Sequence, residues 1–596
     1  MPMLRPFAGR MQNRTHVQFL VNHNPDRDTY FGFFLIKLAT EVIPLAHSRK
    51  QYCILLILLL TLCPTTLHPH LWTSQSLKVW ANSSPPSPFL GDYAGELREP
   101  RPRKDGVRHV DTPRLIQKLK ELGVTQYFYL VWHAPTDWDD FRHEFLPAAR
   151  QAGIDVWVYL VPPSEAHRIQ SEPFGTDYIA WFRAIGSLSR NYANLKGVVM
   201  DDFNHNLSFF TPEYVAKMKQ AAKKSNRDLL FYPQIYYSAI HPHILEKYRS
   251  LFDGVVMTFR DGKYRNTQRN QDLEEQISKT SRLLAREGLP LILMVHASKL
   301  SATPSNPSAH YVEESLRTGL RQLHHGNIQG LVTYVLHKEW FPERRDHAAY
   351  SGDGYGSLFI PSGPAPAPGN KGEIRQLIRP KPSGKYELRF HHMSVYPRNL
   401  RKGEYVKQIL IGDRVVWEED VRAGEVEKWK GESLNLTPHL RGKKETNLTL
   451  RLVRKGGKSP SWLYIGFDRL DPLGFQLTQA NFEEPSGWSY HSNHPAIIGE
   501  TLIYDPKRRL RVYLISMMMY QSFHLFHEIS SSAPFPLQQR ADAMLQSVIA
   551  GQTQHVGHDL KLLKRTLEQT STVPPSQKKK WIHQIDRLDR LLTINP

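Results

Sequence analysis

The stretch Gly197-Val-Val-Met-Asp-Asp-Phe-Asn-His-Asn206 places an apolar, β-branched run directly before two carboxylates, an aromatic ring and three further polar side chains. A strand that is buried on both faces has a nearly continuous run of apolar residues. Two acids at the exit of such a strand cost free energy unless they are solvated, paired or used in chemistry. The stretch therefore predicts a buried strand whose C-terminal tip opens into a polar cleft.

Seven further apolar or aromatic runs resemble this one, and each is followed by a helical pattern. They span 88–93, 126–132, 155–161, 228–234, 253–259, 290–296 and 329–335. Amphipathic segments such as 113–122, 214–222 and 273–284 lie between them. Eight alternating strands and helices over roughly 260 residues predict an α/β fold, a (β/α)8 TIM barrel over 88–345. An open doubly wound sheet is the alternative, but no glycine-rich phosphate loop follows any of the runs.

The remainder of the chain after the barrel divides into three parts. Residues 361–374 are rich in proline and glycine and are predicted to be a linker. From 375 to 472 the apolar period changes to two, which predicts an antiparallel β-sandwich. Residues 498–596 have helical spacing and predict a small helical region, in which we expect Met517-Met-Met519 to be core residues.

The N-terminal part contains both cysteines of the chain, Cys53 and Cys63, inside the apolar segment 51–63. A basic flank and about a dozen apolar residues are typical of a signal-peptide core or a short anchor. We therefore expect an exported protein, either periplasmic, extracellular or anchored to a membrane through 51–63. Residues 1–50 form a leader of uncertain status, which a start codon placed too far upstream would explain, and 64–87 form a linker. The absence of other cysteines excludes disulfides, thiolate metal sites and cysteine nucleophiles from the remaining chain.

The 596-residue chain is strongly basic, with a formal net charge of +20. Such a balance favours anionic partners, among them an acidic glycan or an anionic membrane surface. The basic residues are spread along the chain, and no module combining basic and aromatic residues is visible, so no nucleic-acid partner is expected.

Active sites of TIM barrels form where the strands end, so the residues just past each run are the candidates. They combine carboxylates, imidazoles, amides and aromatic rings, which suits a pyranose ring that is apolar on its faces and polar around its rim. The predicted substrate-binding residues are Tyr93, Trp132, His133, Asn204, His205, Gln234, Tyr236, Arg260, His296 and Trp340. Glu165, His167, Tyr237, Lys299 and His337 also follow strands.

The strand rhythm together with Gly197 to Asp202 resembles the TIM-barrel glycoside hydrolases as a superfamily. In the α-galactosidase-like clan the nucleophilic Asp follows strand four and the acid/base Asp follows strand six. The resemblance thus implies Asp201 or Asp202 and Asp261 as catalytic acids, with Glu339 as a reserve acid. The chitinase pattern fits less well, because Phe203 stands where its catalytic Glu belongs. Strand seven ends in His296, where many barrel hydrolases place a nucleophilic Glu.

The adjacent acids should point to opposite faces, one into the barrel mouth and the other toward a loop. We favour Asp201 as the charged nucleophile or stabiliser and expect its charge to raise the pKa of Asp202. A purely structural alternative is that the pair accepts hydrogen bonds from backbone amides of the following loop. The histidines His205, His296 and His337 lack metal-binding spacing, so neither metal nor cofactor is expected.

The expected function is hydrolysis of a glycosidic bond in a polysaccharide or oligosaccharide by a carboxylate pair. The alternative is a non-catalytic carbohydrate- or envelope-binding protein that keeps the barrel as a scaffold and lacks a working acid pair.

Overall fold

The eight apolar runs form eight parallel strands that close into a barrel. The computed structural model describes residues 88–166, 169–259, 269–299, 306–339, 349–363, 365–382, 384–457, 461–552 and 556–594. The barrel strands are β1 (Phe89–Tyr93), β2 (Gln126–Leu130), β3 (Asp155–Leu160), β4 (Leu195–Met200), β5 (Leu230–Tyr236), β6 (Val255–Phe259), β7 (Leu291–His296) and β8 (Gly330–Tyr334). Strand β1 pairs in parallel with both β2 and β8, which removes the sheet edges and confirms the predicted barrel.

Alternate side chains of the strands fill the barrel interior. In β4, Val199 belongs to the inner core, whereas Val198 and Met200 belong to the layer between strands and helices. Gly197 leaves room inside the barrel for the Trp157 ring, which would lie 2.5 Å from a Cβ at this position. Asp201, two residues after Val199, is the next position on the inward side. The strand therefore delivers this carboxyl to the barrel mouth.

Helices follow the strands around the outside of the barrel. They are α1 (Thr112–Leu122), α2 (Asp137–Asp140), α3 (Leu146–Gln151), α4 (Tyr178–Ser189), α5 (Pro212–Lys223), α6 (Pro242–Tyr248), α7 (Leu273–Arg286) and α8 (Ala309–His324). The predicted helical segments correspond to α1, α5 and α7. Helix α1 begins after Asp111, whose side chain accepts a hydrogen bond from the Arg114 amide, and ends at Gly123 in the left-handed conformation.

A β-sandwich follows β8, as predicted. Its sheets have the strand orders β13-β12-β15-β10-β17 and β14-β11-β16-β9-β18. The strands are β9 (Gly354–Gly363), β10 (Lys371–Ile378), β11 (Glu387–Val395), β12 (Tyr405–Ile411), β13 (Arg414–Asp420), β14 (Lys430–Asn435), β15 (Thr446–Arg454), β16 (Ser461–Leu473), β17 (Ser489–Ser492) and β18 (Ile498–Ile503), with a helical turn α9 (Thr437–Leu440). Residues 361–374, predicted to be a linker, include the end of β9 and the start of β10.

The chain continues into the helices α10 (Arg508–Ser532), α11 (Phe535–Ile549), α12 (Val556–Gln569) and α13 (Pro575–Ile594). Helix α10, here called the closing helix, packs against α8 and α1 in the place where a barrel has its eighth helix. The Tyr520 hydroxyl donates to the Gly91 carbonyl of β1 over 3.0 Å, and His524 Nε2 donates to the Gly123 carbonyl over 2.8 Å. Met517 to Met519 are buried in the same core as the barrel helices, so the prediction that they are core residues is confirmed.

No helix in the described part of the chain is long and apolar enough to cross a membrane. The predicted leader 1–50, the signal-like segment 51–63 and the linker 64–87 lie outside the described residues.

Candidate active site

The Asp201 carboxyl lies at the barrel mouth. Its Oδ1 accepts hydrogen bonds from the Tyr159 hydroxyl (2.8 Å) and from the Asp202 amide (3.0 Å). The pKa of Asp201 is raised well above its ordinary value, first by burial and then by the negative charges of Asp202 and Glu165. The sequence-based expectation placed the raised pKa on Asp202; the structure places a raised pKa on Asp201, because Asp201 is the more deeply buried of the two.

Asp202 adopts a left-handed backbone conformation, with φ of 40°, immediately after β4. Its amide also donates to Gln234 Oε1 over 2.8 Å, so β5 helps to hold this turn. Its carboxylate lies 3.4 Å from His205 Nδ1. A non-glycine residue in this conformation costs about 1 kcal/mol, and the hydrogen bond that the Asp202 amide donates to Gln234 offsets part of that cost.

Glu165 is the third acid of this group, and it follows β3 after Pro162 and Pro163. Burial and the charge of Asp202 raise its pKa to about 6, against an opposing effect of His205. The loop that carries Glu165 is tied to the loop after β4, because the Ser164 amide donates to Asn206 Oδ1 over 3.1 Å. Asp201, Asp202 and Glu165 together are called the acid cluster below.

Glu165 was among the residues noted after strand three, but it was not predicted to be catalytic. Its position in a loop beyond two prolines has no strand or helix periodicity, and only its place after the third apolar run could have indicated it.

Aromatic rings surround the acid cluster. The ring of Tyr93 lies 4.1 Å from that of Tyr159 and 5.1 Å from that of Tyr334, centroid to centroid. The pKa of Tyr93 is raised by burial and by the charges of Asp201, Glu96 and Glu165, among others. Tyr93 is therefore within electrostatic range of Glu96 and of two acids of the cluster, Asp201 and Glu165. The rings of His205 and Tyr236 stack at 5.3 Å.

Next to the acid cluster is a cavity of about 490 Å³, called the mouth cavity below. Its walls come from the segments after β1, β2 and β8 and from the closing helix, and they include Tyr93, Glu96, Trp132, His133, Tyr334, His337, Lys338, Glu339 and Arg509. Glu96 Oε2 lies 3.8 Å from His133 Nδ1. Burial alone would raise the pKa of Glu96, but the hydrogen bond and charge of His133 and the charge of Arg98 together outweigh burial and lower it. Glu96 in turn raises the pKa of His133.

Apart from His296, which is described below, the predicted site residues fall into three groups. Asp201, Asp202, His205, Gln234 and Tyr236 come together at the acid cluster, where Asn204 Oδ1 accepts from the Tyr236 amide over 3.2 Å. Tyr93, Trp132, His133 and Glu339 line the mouth cavity. Arg260, Asp261 and Trp340 lie outside the described residues.

Two of the predicted residues are occupied by other contacts. Glu339 Oε1 lies 3.1 Å from the Arg114 guanidinium, and both side chains are partly exposed, so this acid is held at the rim. His296 is fully buried, its Nδ1 donates to the Phe259 carbonyl over 2.8 Å, and its ring lies 4.7 Å from that of Tyr334. His296 therefore packs against the ring of Tyr334 inside the fold.

Two groups of side chains among the described residues have a spacing that could hold a metal ion, and neither includes a residue of the acid cluster. One is His109 with Asp140 and Glu144, the other His392 with Glu419 and Glu432. His109 is already bonded to Asp105 and Asp140, at 2.7 and 2.5 Å. In the second group the Lys407 ammonium lies 2.7 Å from His392 Nδ1 and 3.3 Å from Glu419 Oε1. The ammonium therefore takes the place that a metal cation would have between these two side chains.

No protein-family model matches the chain, and no curated protein matches it in sequence. Among solved structures, the chain is similar to a β-glucuronidase of Bacteroides uniformis, with 11% identity and a TM-score of 0.37 over 64% of this chain and 65% of that chain. It is also similar to a glucosidase from Croceicoccus marinus (10% identity, TM-score 0.30, 63% of this chain and 98% of that one). A third is the exo-β-1,4-mannosidase Op5Man5 from Opitutaceae bacterium strain TAV5 (12%, 0.29, 41% and 51%).

The chain spans about two thirds of the length of the β-glucuronidase. Similarity of this degree carries no evidence on substrate or residues. What the chain itself defines is a TIM barrel with three carboxyl groups at the C-terminal ends of its strands.

Proposed function

We propose that this protein hydrolyses glycosidic bonds in a polysaccharide or oligosaccharide. The observation that carries the proposal is the acid cluster, in which the carboxyls at the mouth of the barrel are close enough for their charges to raise one another's pKa. Glycoside hydrolysis needs one protonated and one ionised carboxyl across the scissile bond. A cluster of buried acids supplies both at the same pH, because the first charge to form disfavours the next.

In this proposal Asp201 is the general acid and Glu165 is the base or nucleophile. Asp201 holds its proton to higher pH, because it is buried beside two other carboxyls. Glu165 ionises near pH 6 and is only half-buried, so its carboxylate can reach a substrate or a water molecule. Asp202 supplies the negative charge that keeps the two pKa values high, and its turn positions Asp201. Asp261, the partner acid expected from the sequence, lies outside the described residues, so its role stays a prediction.

The surroundings of the cluster support a sugar as the ligand. Trp132 and Tyr334, which line the cavity and are partly exposed, offer aromatic faces to the apolar faces of a pyranose, and the exposed His205 offers a polar group near its rim. The basic net charge favours an acidic glycan among the candidates.

The proposal is tested by hydrolysis of a panel of neutral and acidic glycans with the wild type and with Asp201→Asn and Glu165→Gln. Loss of a general acid or base costs about 10²- to 10⁴-fold in rate, so both variants should lose at least a hundredfold. Glu246→Gln is the matched control, because this carboxylate is exposed on the outer helix α6 beside His243, and its rate should stay within a few-fold of wild type.

Turnover that survives both cluster substitutions would refute the assignment of the acids. Binding of a glycan without turnover of any glycan by the wild type would instead support the alternative, a carbohydrate-binding protein on a barrel scaffold.

A further inference from the structure

The two oxygens of the Asp201 carboxyl have different surroundings. Oδ1 accepts one hydrogen bond from the Tyr159 hydroxyl at 2.8 Å and a second from the Asp202 amide at 3.0 Å. Oδ2 has no hydrogen-bond partner among the described residues, and it is not one of their fully buried polar atoms. Asp201 therefore reaches the open mouth of the barrel through Oδ2, although most of the residue is buried.

Tyr159 is the donor that serves Asp201 alone. The Asp202 amide is shared, because it also donates to Gln234 Oε1 over 2.8 Å. A phenol has a single proton to donate, and the proton of Tyr159 is directed at Asp201. Burial and then the negative charge of Asp201 raise the pKa of Tyr159 well above its ordinary value, so the phenol keeps this proton.

Strand β3 fixes the place of the Tyr159 hydroxyl. The side chain belongs to the inner core of the barrel, and its ring is fully buried, 4.1 Å from the ring of Tyr93. In the pairing of β3 with β4, Tyr159 lies opposite Val199, two residues before Asp201. The hydroxyl therefore reaches Asp201 from a packed layer directly below the mouth.

These contacts decide which oxygen carries the proton of Asp201. A protonated carboxyl has one carbonyl oxygen, which accepts hydrogen bonds, and one hydroxyl oxygen, which donates. The carbonyl oxygen is the better acceptor, so the oxygen that receives two hydrogen bonds is the carbonyl oxygen, Oδ1. The proton is then on Oδ2, at the open mouth. A general acid needs its proton on the oxygen that faces the leaving group.

We propose that Tyr159 is a positioning residue of the active site, which holds Oδ1 and thereby keeps the proton of Asp201 on Oδ2. The inference rests on the proposed function, in which Asp201 is the general acid. In that step the proton passes from Oδ2 to the glycosidic oxygen, which also keeps the electron pair of its broken bond to the anomeric carbon. The new bond at this carbon forms to Glu165, or to a water molecule that Glu165 deprotonates.

The first test compares leaving groups, because a positioning role concerns only the proton that the leaving group needs. The substrates are an alkyl glycoside of a hydrolysed sugar and the glycosyl fluoride of the same sugar, whose fluoride ion departs without a proton. Tyr159→Phe should lower kcat on the alkyl glycoside about tenfold, the size of one hydrogen bond, with little change in KM. On the fluoride its rate should stay within about twofold of the wild type, because no proton is transferred to the leaving group.

Two further variants calibrate this comparison. Asp201→Asn should show the same pattern with a larger loss on the alkyl glycoside, because it removes the proton itself. Tyr232→Phe is the matched control: Tyr232 is also buried inside the barrel, and its hydroxyl bonds to Gln329 Oε1 over 3.2 Å at the end where β8 begins. It should hydrolyse both substrates at the wild-type rate. Thermal melting verifies that each variant is folded.

The second test is infrared spectroscopy, which needs no turnover. At a pH where ordinary carboxyls are ionised, Asp201 still carries its proton, and its carbonyl stretching band is the one that is absent in Asp201→Asn. A hydrogen bond to a carbonyl oxygen lowers its stretching frequency. Tyr159→Phe should therefore move this band to higher frequency, and Tyr232→Phe should leave it unmoved.

Gln234→Met is a second variant with the opposite expectation. Without Gln234 the Asp202 amide donates to Asp201 alone, so the carbonyl band should move to lower frequency. The alkaline limb of kcat/KM should move to lower pH in this variant and to higher pH in Tyr159→Phe, because both hydrogen bonds to Oδ1 favour the ionised form of Asp201.

An unmoved carbonyl band in Tyr159→Phe, or an equal loss of rate on the alkyl glycoside and the fluoride, would overturn the inference. Failure of the proposed function is a different result: the wild type would hydrolyse no glycan, while the band shifts would still report which oxygen of Asp201 holds the proton.

Discussion

Glu165 and Asp201 differ in how strongly their surroundings oppose ionisation, and this difference predicts the pH dependence of the activity. In the proposed mechanism activity needs Glu165 ionised, so kcat/KM should rise with pH through about 6. The same mechanism needs Asp201 protonated, so kcat/KM should fall again at higher pH, where that proton is lost. A bell-shaped profile of kcat/KM on any hydrolysed glycan is the expected result.

Two neighbours of Glu165 shift its pKa in opposite directions, so their variants test whether Glu165 sets the acidic limb. Asp202 raises the pKa of Glu165 and His205 lowers it. Asp202→Asn should therefore move the acidic limb of the residual activity to lower pH, and His205→Gln should move it to higher pH. Shifts of both variants in the same direction, or an unmoved limb in both, would contradict the assignment of that limb to Glu165.

Glu500 in the sandwich predicts a pH dependence of stability. It lies on β18 opposite Ser357, and its Oε1 is buried with no hydrogen-bond partner among the described residues. Burial raises its pKa to about 7 from an ordinary 4.5. The folded state thus disfavours ionisation of Glu500: its contribution to stability is fully present below pH 4.5 and falls as the pH rises to about 7, by about 3 kcal/mol.

Glu500→Gln removes this titration. The variant should unfold at higher denaturant concentration than the wild type at pH 8 and at a similar one at pH 4.5. Glu484→Gln, on the exposed surface of the same domain, is the control and should follow the wild type. Parallel curves for Glu500→Gln and wild type across this range would refute the prediction.

At the level of the elements, the junction of β1 and β8 contains a buried ion pair. Lys338, after β8, has its ammonium 2.5 Å from Asp92 of β1, and Thr333 donates to the same carboxylate over 2.6 Å. Lys338→Met leaves Asp92 buried without its cation, which typically costs about 3–5 kcal/mol. We expect a loss of this size in urea unfolding.

The double variant Asp92→Asn with Lys338→Met removes both charges and should recover part of that loss, since the desolvation penalty disappears with them. A double variant less stable than the single one would show that the carbonyl contacts of Lys338, rather than its charge, hold the junction.

The elements also show what the sequence could and could not predict. The eight barrel strands were recognisable because burial on both faces demands apolar runs. Strand β14 was not, because most of its residues are exposed and carry no alternating pattern. The spacing of 510–526 predicted a helix, but its place beside α1 and α8 depends on contacts across hundreds of residues, such as Tyr520 with Gly91.

The positions of two of the three acids in the cluster could be predicted from the apolar pattern of a buried strand. Asp201 and Asp202 end a strand with a clear apolar pattern, so their place at the mouth follows from counting strands. The proximity of Glu165 depends on the contacts between Ser164 and Asn206, which join two loops that are 42 residues apart. Loop-to-loop contacts of this kind leave no periodic signal in the sequence.

At the scale of the whole molecule, the sandwich is an insertion between the eighth strand of the barrel and its closing helix. It enters through β9 and leaves through β18, which pair antiparallel with Gly354 opposite Ile503. The Tyr504 amide donates to the Asp353 carbonyl over 2.9 Å, so the two ends of the insertion lie side by side. Among the described residues, the hydrophobic cores of the sandwich and of the barrel have no residue in common.

This arrangement predicts opposite outcomes for two deletions. Replacing 354–503 by a short Gly-Ser linker between Asp353 and Tyr504 keeps every barrel strand and the closing helix, and the adjacent ends make the new loop cheap to close. The shortened chain should unfold in one cooperative transition, followed by circular dichroism.

A chain that ends at Tyr504 keeps the sandwich but loses the closing helix together with the three helices that follow it, α11 to α13. This loss exposes the outer side of β1 and β8. It should lose cooperative unfolding of the barrel, because Tyr520 and the apolar side chains around it are part of the barrel core. A barrel that folds without the closing helix, or fails to fold without the sandwich, would contradict the view that the closing helix is the eighth helix of the barrel.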